Sequence, residues 1–281
     1  MIKVSFLLKK HIIAILLLII SYSLFAQGGD SLDHKVYKVN LRFDVPFTAV
    51  ATGTALWGFA TVNGKPPVDS LSIIALDPND VNRFDRSATT QDAEFAPISR
   101  SISDVTLAIS NLLPLVLFMD DEIRQDWGDV LLLFLETQAI VGNLYSWGCV
   151  VHVDRIRPLV YNPDVPWEER SGTRTKNAFY SGHTSLSASA SFFTAKVYCD
   201  YHPELENKKY LIYSMALVPP VITGFFRYKG LKHFPTDVLT GLVIGASAGI
   251  LVPHLHKRTR PNLSIVPFAG PVNGLAMSYK F

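Results

Sequence analysis

The sequence predicts an all-α fold: a bundle of about six helices with its chemistry gathered at one end, followed by a short β-like tail. Three observations support this. Six apolar segments of helical length are separated by polar, proline-bearing or glycine-bearing junctions. The residues able to do chemistry fall at three of those junctions. With 281 residues, 48% hydrophobic and 18% charged, the chain can bury a substantial core. A formal net charge of +2, with no Lys/Arg-rich run, excludes a nucleic-acid partner, and no obligate protein partner is indicated.

Residues 1–26 have a basic start (Lys3, Lys9, Lys10), an apolar run from Ile12 to Ile20, and Ala26 at a plausible cleavage point. This is the layout of an export signal, so the protein is expected in the cell envelope, periplasmic or membrane-associated. Residues 27–262 then form the helical domain and residues 263–281 the tail.

The first expected helix, Asp44 to Val62, stops at Asn63-Gly64-Lys65-Pro66-Pro67. Val68 to Arg100 is polar and without period, an irregular collar. Ser103-Asp104 offers a cap for a second helix, Val105 to Met119. A third runs from about Gly128 through Cys149 toward Arg155, and its Glu136, Gln138 and Asn143 need buried partners. Leu159 to Ala178 reads as a surface loop. The fourth helix, Thr184 to about Tyr198, is rich in small residues and suited to close packing. The fifth, Tyr210 to Phe226, contains Pro219-Pro220, which should bend or break it. The sixth spans Pro235 to about His256, and its Gly241, Gly245 and Gly249 form a packing seam. Ser264 to Phe268 and Leu275 to Phe281, joined by a Gly-Pro-Val-Asn-Gly turn, suggest a hairpin.

Cys199 lies roughly 24 Å along its helix from His183, and Cys149 roughly 12 Å from Arg157 at ~1.5 Å per residue. If those histidine and arginine ends meet, the cysteines cannot pair. They are expected to be buried free thiols, and no metal-ligand spacing surrounds them.

In an up-and-down bundle, the end of helix three, the start of helix four and the junction of helices five and six share one side. That side gathers Arg157, Ser181-Gly182-His183, Arg227, His233 and Asp237. Arginine forks grip phosphate oxygens and stay charged. A neutral histidine held by a carboxylate can attack phosphorus, and His233 and Asp237 are four residues apart, one helical turn. His183 is a candidate acid, and the amides of Ser181 and Gly182 at a helix start can cradle an anion.

The order and spacing of Arg157-Pro158, Ser181-Gly182-His183 and Arg227-x5-His233-x3-Asp237 resemble the three-part signature of the type 2 phosphatidic acid phosphatase and vanadium haloperoxidase superfamily. The resemblance covers roughly Val130 to Leu255. It implies a helical bundle and hydrolysis of a phosphomonoester or pyrophosphate without metal or cofactor, through a phosphohistidine. His233 would be the nucleophile, Asp237 its partner and His183 the acid, with Arg157, Arg227, Ser181 and Gly182 holding phosphate. The implied partner is a phosphorylated small molecule or lipid. A silent phosphate-binding protein and a vanadium-dependent haloperoxidase are the alternatives.

Three positions depart from the pattern: Val150 replaces the lysine seven residues before Arg157, Tyr180 a proline, and Phe226 a serine. Only Val150 removes a phosphate-binding cation. Arg174 and Lys176 are the expected substitutes; Arg155 follows them, since two residues from Arg157 it converges only if the helix breaks. Mean hydropathy is +0.22 overall and roughly +0.06 beyond residue 26, low for a polytopic protein. Helices two, four and five are expected to fall short of ~20 apolar residues, so a soluble or peripheral bundle and an integral one are both compatible with the sequence.

Overall fold

The computed structural model describes residues 35–258 and two strands at 263–268 and 274–279; the expected export signal lies outside the described residues. The first long helix, α1 (Leu41–Asn63), starts earlier than expected because Asn40 caps it. The Asn40 side chain accepts from Arg42 N, and Asp44 accepts from Asn40 N at 2.7 Å. The collar follows, with α2 (Ser70–Ala75) and two 3-10 turns, Pro78–Asp80 and Arg86–Ala88.

Next comes α3 (Ala96–Leu112), continuing as a 3-10 segment to Met119. It begins well before Ser103, so Ser103 and Asp104 are interior positions rather than caps. The serines of this helix bond within it or across the bundle: Ser103 Oγ donates to Arg100 O, and Ser110 shares a hydrogen bond with Ser187.

A short α4 (Asp121–Gln125) leads to α5 (Trp127–Tyr145), closed by a π turn at Ser146–Val150. The helix therefore stops short of Arg155. The chain from Arg155 to Arg157 is extended instead and hydrogen-bonds to residues 175–178, with Arg155 N donating to Lys176 O and Arg157 N to Thr175 O. The expected surface loop holds two single-turn helices, α6 (Pro158–Tyr161) and α7 (Trp167–Arg170).

The central element is α8 (Gly182–Tyr201), with thirteen of its twenty residues buried. It packs against α3, α5, α9 (Lys209–Lys229) and α10 (Pro235–His256). The glycine seam of α10 lies on α8: a Cβ at Gly241, Gly245 or Gly249 would come within 2.5 Å of the carbonyl oxygens of Ser181, Ser185 or Ser189. Small residues on both helices let the backbones meet.

Pro219 and Pro220 do not break α9, which runs through them. Packing against α3 and α8 holds both halves, and Thr223 links them through Thr106 and Ser187. After α10, β1 (Leu263–Phe268) pairs antiparallel with β2 (Gly274–Tyr279), forming the expected hairpin. Cys149 and Cys199 are free thiols as expected, half-buried rather than fully buried.

Five stretches are long and apolar enough to cross a membrane: Leu41–Asn63, Ala96–Met119, Trp127–Val150, Pro203–Lys229 and Pro235–His256. The second and fifth helices thus exceed the expected length, because each begins in a polar stretch that reads as loop. Their outward faces expose large apolar side chains, including Phe43, Trp57, Val105, Leu211, Met215 and Val243. That is the surface of a membrane-associated protein rather than of a water-soluble bundle.

Candidate active site

The ends of α5 and α9, the first half of α3 and the starts of α8 and α10 meet at one end of the bundle. Arg157 and Arg227 enter it buried, 8% and 6% exposed, and neither Nε has a hydrogen-bond acceptor among the described residues. Arg157 donates through Nη2 to Asn177 O at 3.3 Å, and Arg227 through Nη1 to Ser103 Oγ at 3.3 Å. Burial holds the Arg157 guanidinium below its ordinary pKa, yet it stays charged. Two buried cations with spare donors create a site for a doubly charged anion.

His233 is buried in the turn between α9 and α10 and lies outside the helix. Its Nδ1 is 2.6 Å from Ala178 O and 3.8 Å from Asp237 Oδ2. A carbonyl only accepts, so Nδ1 carries the proton and Nε2 presents a lone pair. Burial and the repulsion of Arg157 and Arg227 push the pKa of His233 well down, which keeps the ring neutral.

The orienting contact therefore comes from Ala178, not from Asp237 as the four-residue spacing suggests. Because α10 begins only at Pro235, Asp237 is the third helical residue and turns back to accept from Phe234 N at 2.7 Å. Its other oxygen takes Arg155. Arg155 also donates to Asp85 Oδ2 at 2.7 Å and lies over the Phe234 ring at 4.3 Å. As a substitute phosphate cation Arg155 is thus already committed: the break in the helix turns it toward Asp85 and Asp237.

Ser181 caps α8, with its Oγ accepting from Thr184 N. Its own N–H donates to Asp237 O at 3.0 Å, so the amides left for an anion are those of Gly182 and His183. Gly182 is glycine for a packing reason, since a Cβ there would meet the Tyr145 ring at 2.8 Å. Tyr180, in the same turn, is buried against Tyr145.

His183 Nε2 lies 2.9 Å from Asp104 Oδ1, and Arg227 Nη1 lies 3.5 Å from the same oxygen. Burial, Arg227 and Arg157 push the His183 pKa well down in the free protein. Asp104 went unrecognised as a site residue in the sequence because it resembled a helix cap. Its one sequence signal is a carboxylate on a helix whose only other charged residue is Arg100.

Val150 is fully buried with Tyr145 and Tyr180 and offers no charge. Of the expected substitutes, Lys176 leans on Asp154 at 4.0 Å. Arg174 is exposed, with φ of 65°, and sits close enough for its charge to act on Arg157. A further cation was missed, Lys232, next to His233. It is half-buried, and burial with Arg157, Arg100 and Arg227 around it pushes its pKa down to about 7. Leu231, with φ of 58°, makes the turn that places Lys232, and Lys232 N donates to Arg227 O at 3.1 Å. Arg100, donating to Gly230 O and Glu169, braces the same turn.

Residues 127–261 match the family model described as the PAP2 superfamily. No curated protein matches significantly. Among solved structures, the chain is similar to the crystal structure of "the first transmembrane PAP2 type phosphatidylglycerolphosphate phosphatase from Bacillus subtilis". The two are 19% identical with a TM-score of 0.41, over 73% of this chain and 94% of that one. The family match begins where α5 begins and runs past the last residue of α10, so the stretch that resembles the PAP2 superfamily takes in α5, α8, α9 and α10, the long helices that carry most of the site.

Proposed function

We propose that this protein is a membrane phosphatase of the cell envelope that hydrolyses a phosphomonoester or pyrophosphate, on a lipid, without a metal. The observation that carries this is the bare Nε2 of His233, held by the Ala178 carbonyl in a pocket whose two buried arginines have donors to spare. The phosphoryl dianion lies between Arg157 and Arg227, with the amides of Gly182 and His183 on its remaining oxygens. His233 Nε2 attacks phosphorus in line, and the bond to the leaving oxygen breaks as a phosphohistidine forms. The bound dianion offsets the repulsion of the two arginines, so His183 takes up a proton and delivers it to the leaving oxygen. Neutral again, His183 draws a proton from the water that then cleaves the phosphohistidine. Asp237, 3.8 Å from His233, stabilises the transient imidazolium and fixes the start of α10.

Lys232 supplies the cation that Val150 does not, and Arg174 adds charge at the rim. A lipid substrate fits the apolar exterior of the bundle, since the site lies at one end of helices that suit a bilayer. The test is phosphate release from a soluble aryl phosphate and from a lipid phosphate, with and without chelator, in the intact protein and in His233→Ala. Chelator-insensitive release lost in the variant is expected. Phosphate or vanadate binding with no release in either protein would identify a silent binder instead.

A further inference from the structure

At the end of the bundle opposite His233, Asp44 in the first turn of α1, Glu136 within α5 and His256 at the end of α10 converge. We propose that these three side chains form a structural site for a divalent transition-metal ion that ties the three helices together. Their ligand atoms all lie within 4.8 Å of one another. Asp44 and Glu136 are only 6% and 5% exposed.

The contacts among them are not hydrogen bonds. His256 Nε2 is 3.8 Å from Asp44 Oδ2 and 4.0 Å from Glu136 Oε2, beyond hydrogen-bond range. A modest contraction would bring all three onto one ion.

The ring's orientation favours this. His256 Nδ1 lies 2.9 Å from Val252 O, which can only accept, so the neutral ring turns the Nε2 lone pair toward the two carboxylates. Three electron-rich groups then face one point. Glu136 Oε2 is buried there with no hydrogen-bond partner among the described residues, which is costly unless a cation fills the gap. Thr48, one turn on from Asp44 in α1, has a buried hydroxyl that also lacks a partner.

The donor set narrows the ion. Imidazole selects zinc, copper, iron or nickel over magnesium and calcium, while two carboxylates suit zinc and manganese, so Zn²⁺ or Mn²⁺ fits best. Two carboxylates balance its charge. The site has no part in hydrolysis, because the 22 residues of α10 separate it from the catalytic end by roughly 33 Å. It does not depend on the phosphatase reading.

The test uses the full chain, purified in detergent without a polyhistidine tag. Its metal content is measured by mass spectrometry, and its thermal unfolding is followed after chelation and after addition of Zn²⁺ or Mn²⁺. Stoichiometric metal, a Tm lowered by chelator and restored by the ion, and loss of that response in Glu136→Gln and His256→Gln are expected, with phosphatase turnover unchanged. An intact protein that holds no metal and whose Tm ignores both ions and the chelator would overturn the proposal and assign the cluster to a shared proton. Retention of the full response in Glu136→Gln would overturn it too. Should a variant fail to fold, the metal titration of the unaltered protein decides.

Discussion

His183 on α8 and Asp104 on α3 meet at 2.9 Å, and Asp104 reaches Arg227 from the same oxygen. The carboxylate orients the imidazole and favours its protonated form, the state a general acid must reach once phosphate is bound. Removing the acid should therefore hurt most where the leaving group is poor. We predict that His183→Ala slows an alkyl phosphate by about 10²- to 10⁴-fold and p-nitrophenyl phosphate far less. Asp104→Asn should show the same leaving-group signature more weakly. Equal losses on both substrates would remove His183 from the acid role.

Lys232 has its pKa pushed down to about 7 in the free protein. Its charge is therefore present below that pH and lost above it, until bound phosphate restores it. The expected result is a kcat/KM that falls above about pH 7 while kcat holds to higher pH. Lys232→Ala should cost about 10- to 100-fold in kcat/KM, the range of one charged hydrogen bond. Lys232→Arg should recover much of the loss and move the decline to higher pH. A rate unaltered in Lys232→Ala would return the missing charge to Arg174.

The seam between α8 and α10 is a backbone contact, with a Cβ at Gly245 falling 2.1 Å from Ser185 O. Gly245→Ala must part the helices that position His183 and His233. A loss of about 1–3 kcal/mol or more is expected in thermal unfolding. Gly53→Ala, where nothing lies within 4 Å, is the control and should leave Tm nearly unchanged.

Residue 41 and the active site lie at opposite ends of α1. A site facing the outside thus places residue 41 at the inner surface, whereas an export signal cleaved after Ala26 would place residue 41 outside and the site inside. Exposed cysteines at Thr173→Cys, in the site-end loop, and Glu206→Cys, beyond α8, report on the two sides. Labelling of the first alone by a membrane-impermeant thiol reagent in whole cells is the expected pattern. Labelling of the second alone would place the site on the cytoplasmic side.

Much of this architecture is legible in the sequence wherever a periodic apolar run ends at a proline or glycine signal. Pro235 to His256 is bounded as expected, and its glycines pack as expected. Motif order likewise brings Arg157, His183, Arg227 and His233 to one end. Contacts between segments distant in sequence are what single-chain patterns do not carry. Ser103 and Asp104 resemble a cap because their partners, Arg227 and His183, lie about 80 to 125 residues away. The His233–Asp237 spacing implies a helical pair only if both residues are helical, and Pro235 starts the helix between them. Lys232 was passed over because a lysine beside a motif is usually a solvated charge, and only the turn at Leu231 buries it.

The central claim is that His233 Nε2 forms a covalent bond to phosphorus, and rapid quenching with a ³²P-labelled lipid phosphate tests it most directly. The account predicts a transient, acid-labile and base-stable label on the protein that maps to His233, forms without added metal and is absent in His233→Ala. Full turnover with no labelled protein at any quench time, or a label on another residue, would contradict it.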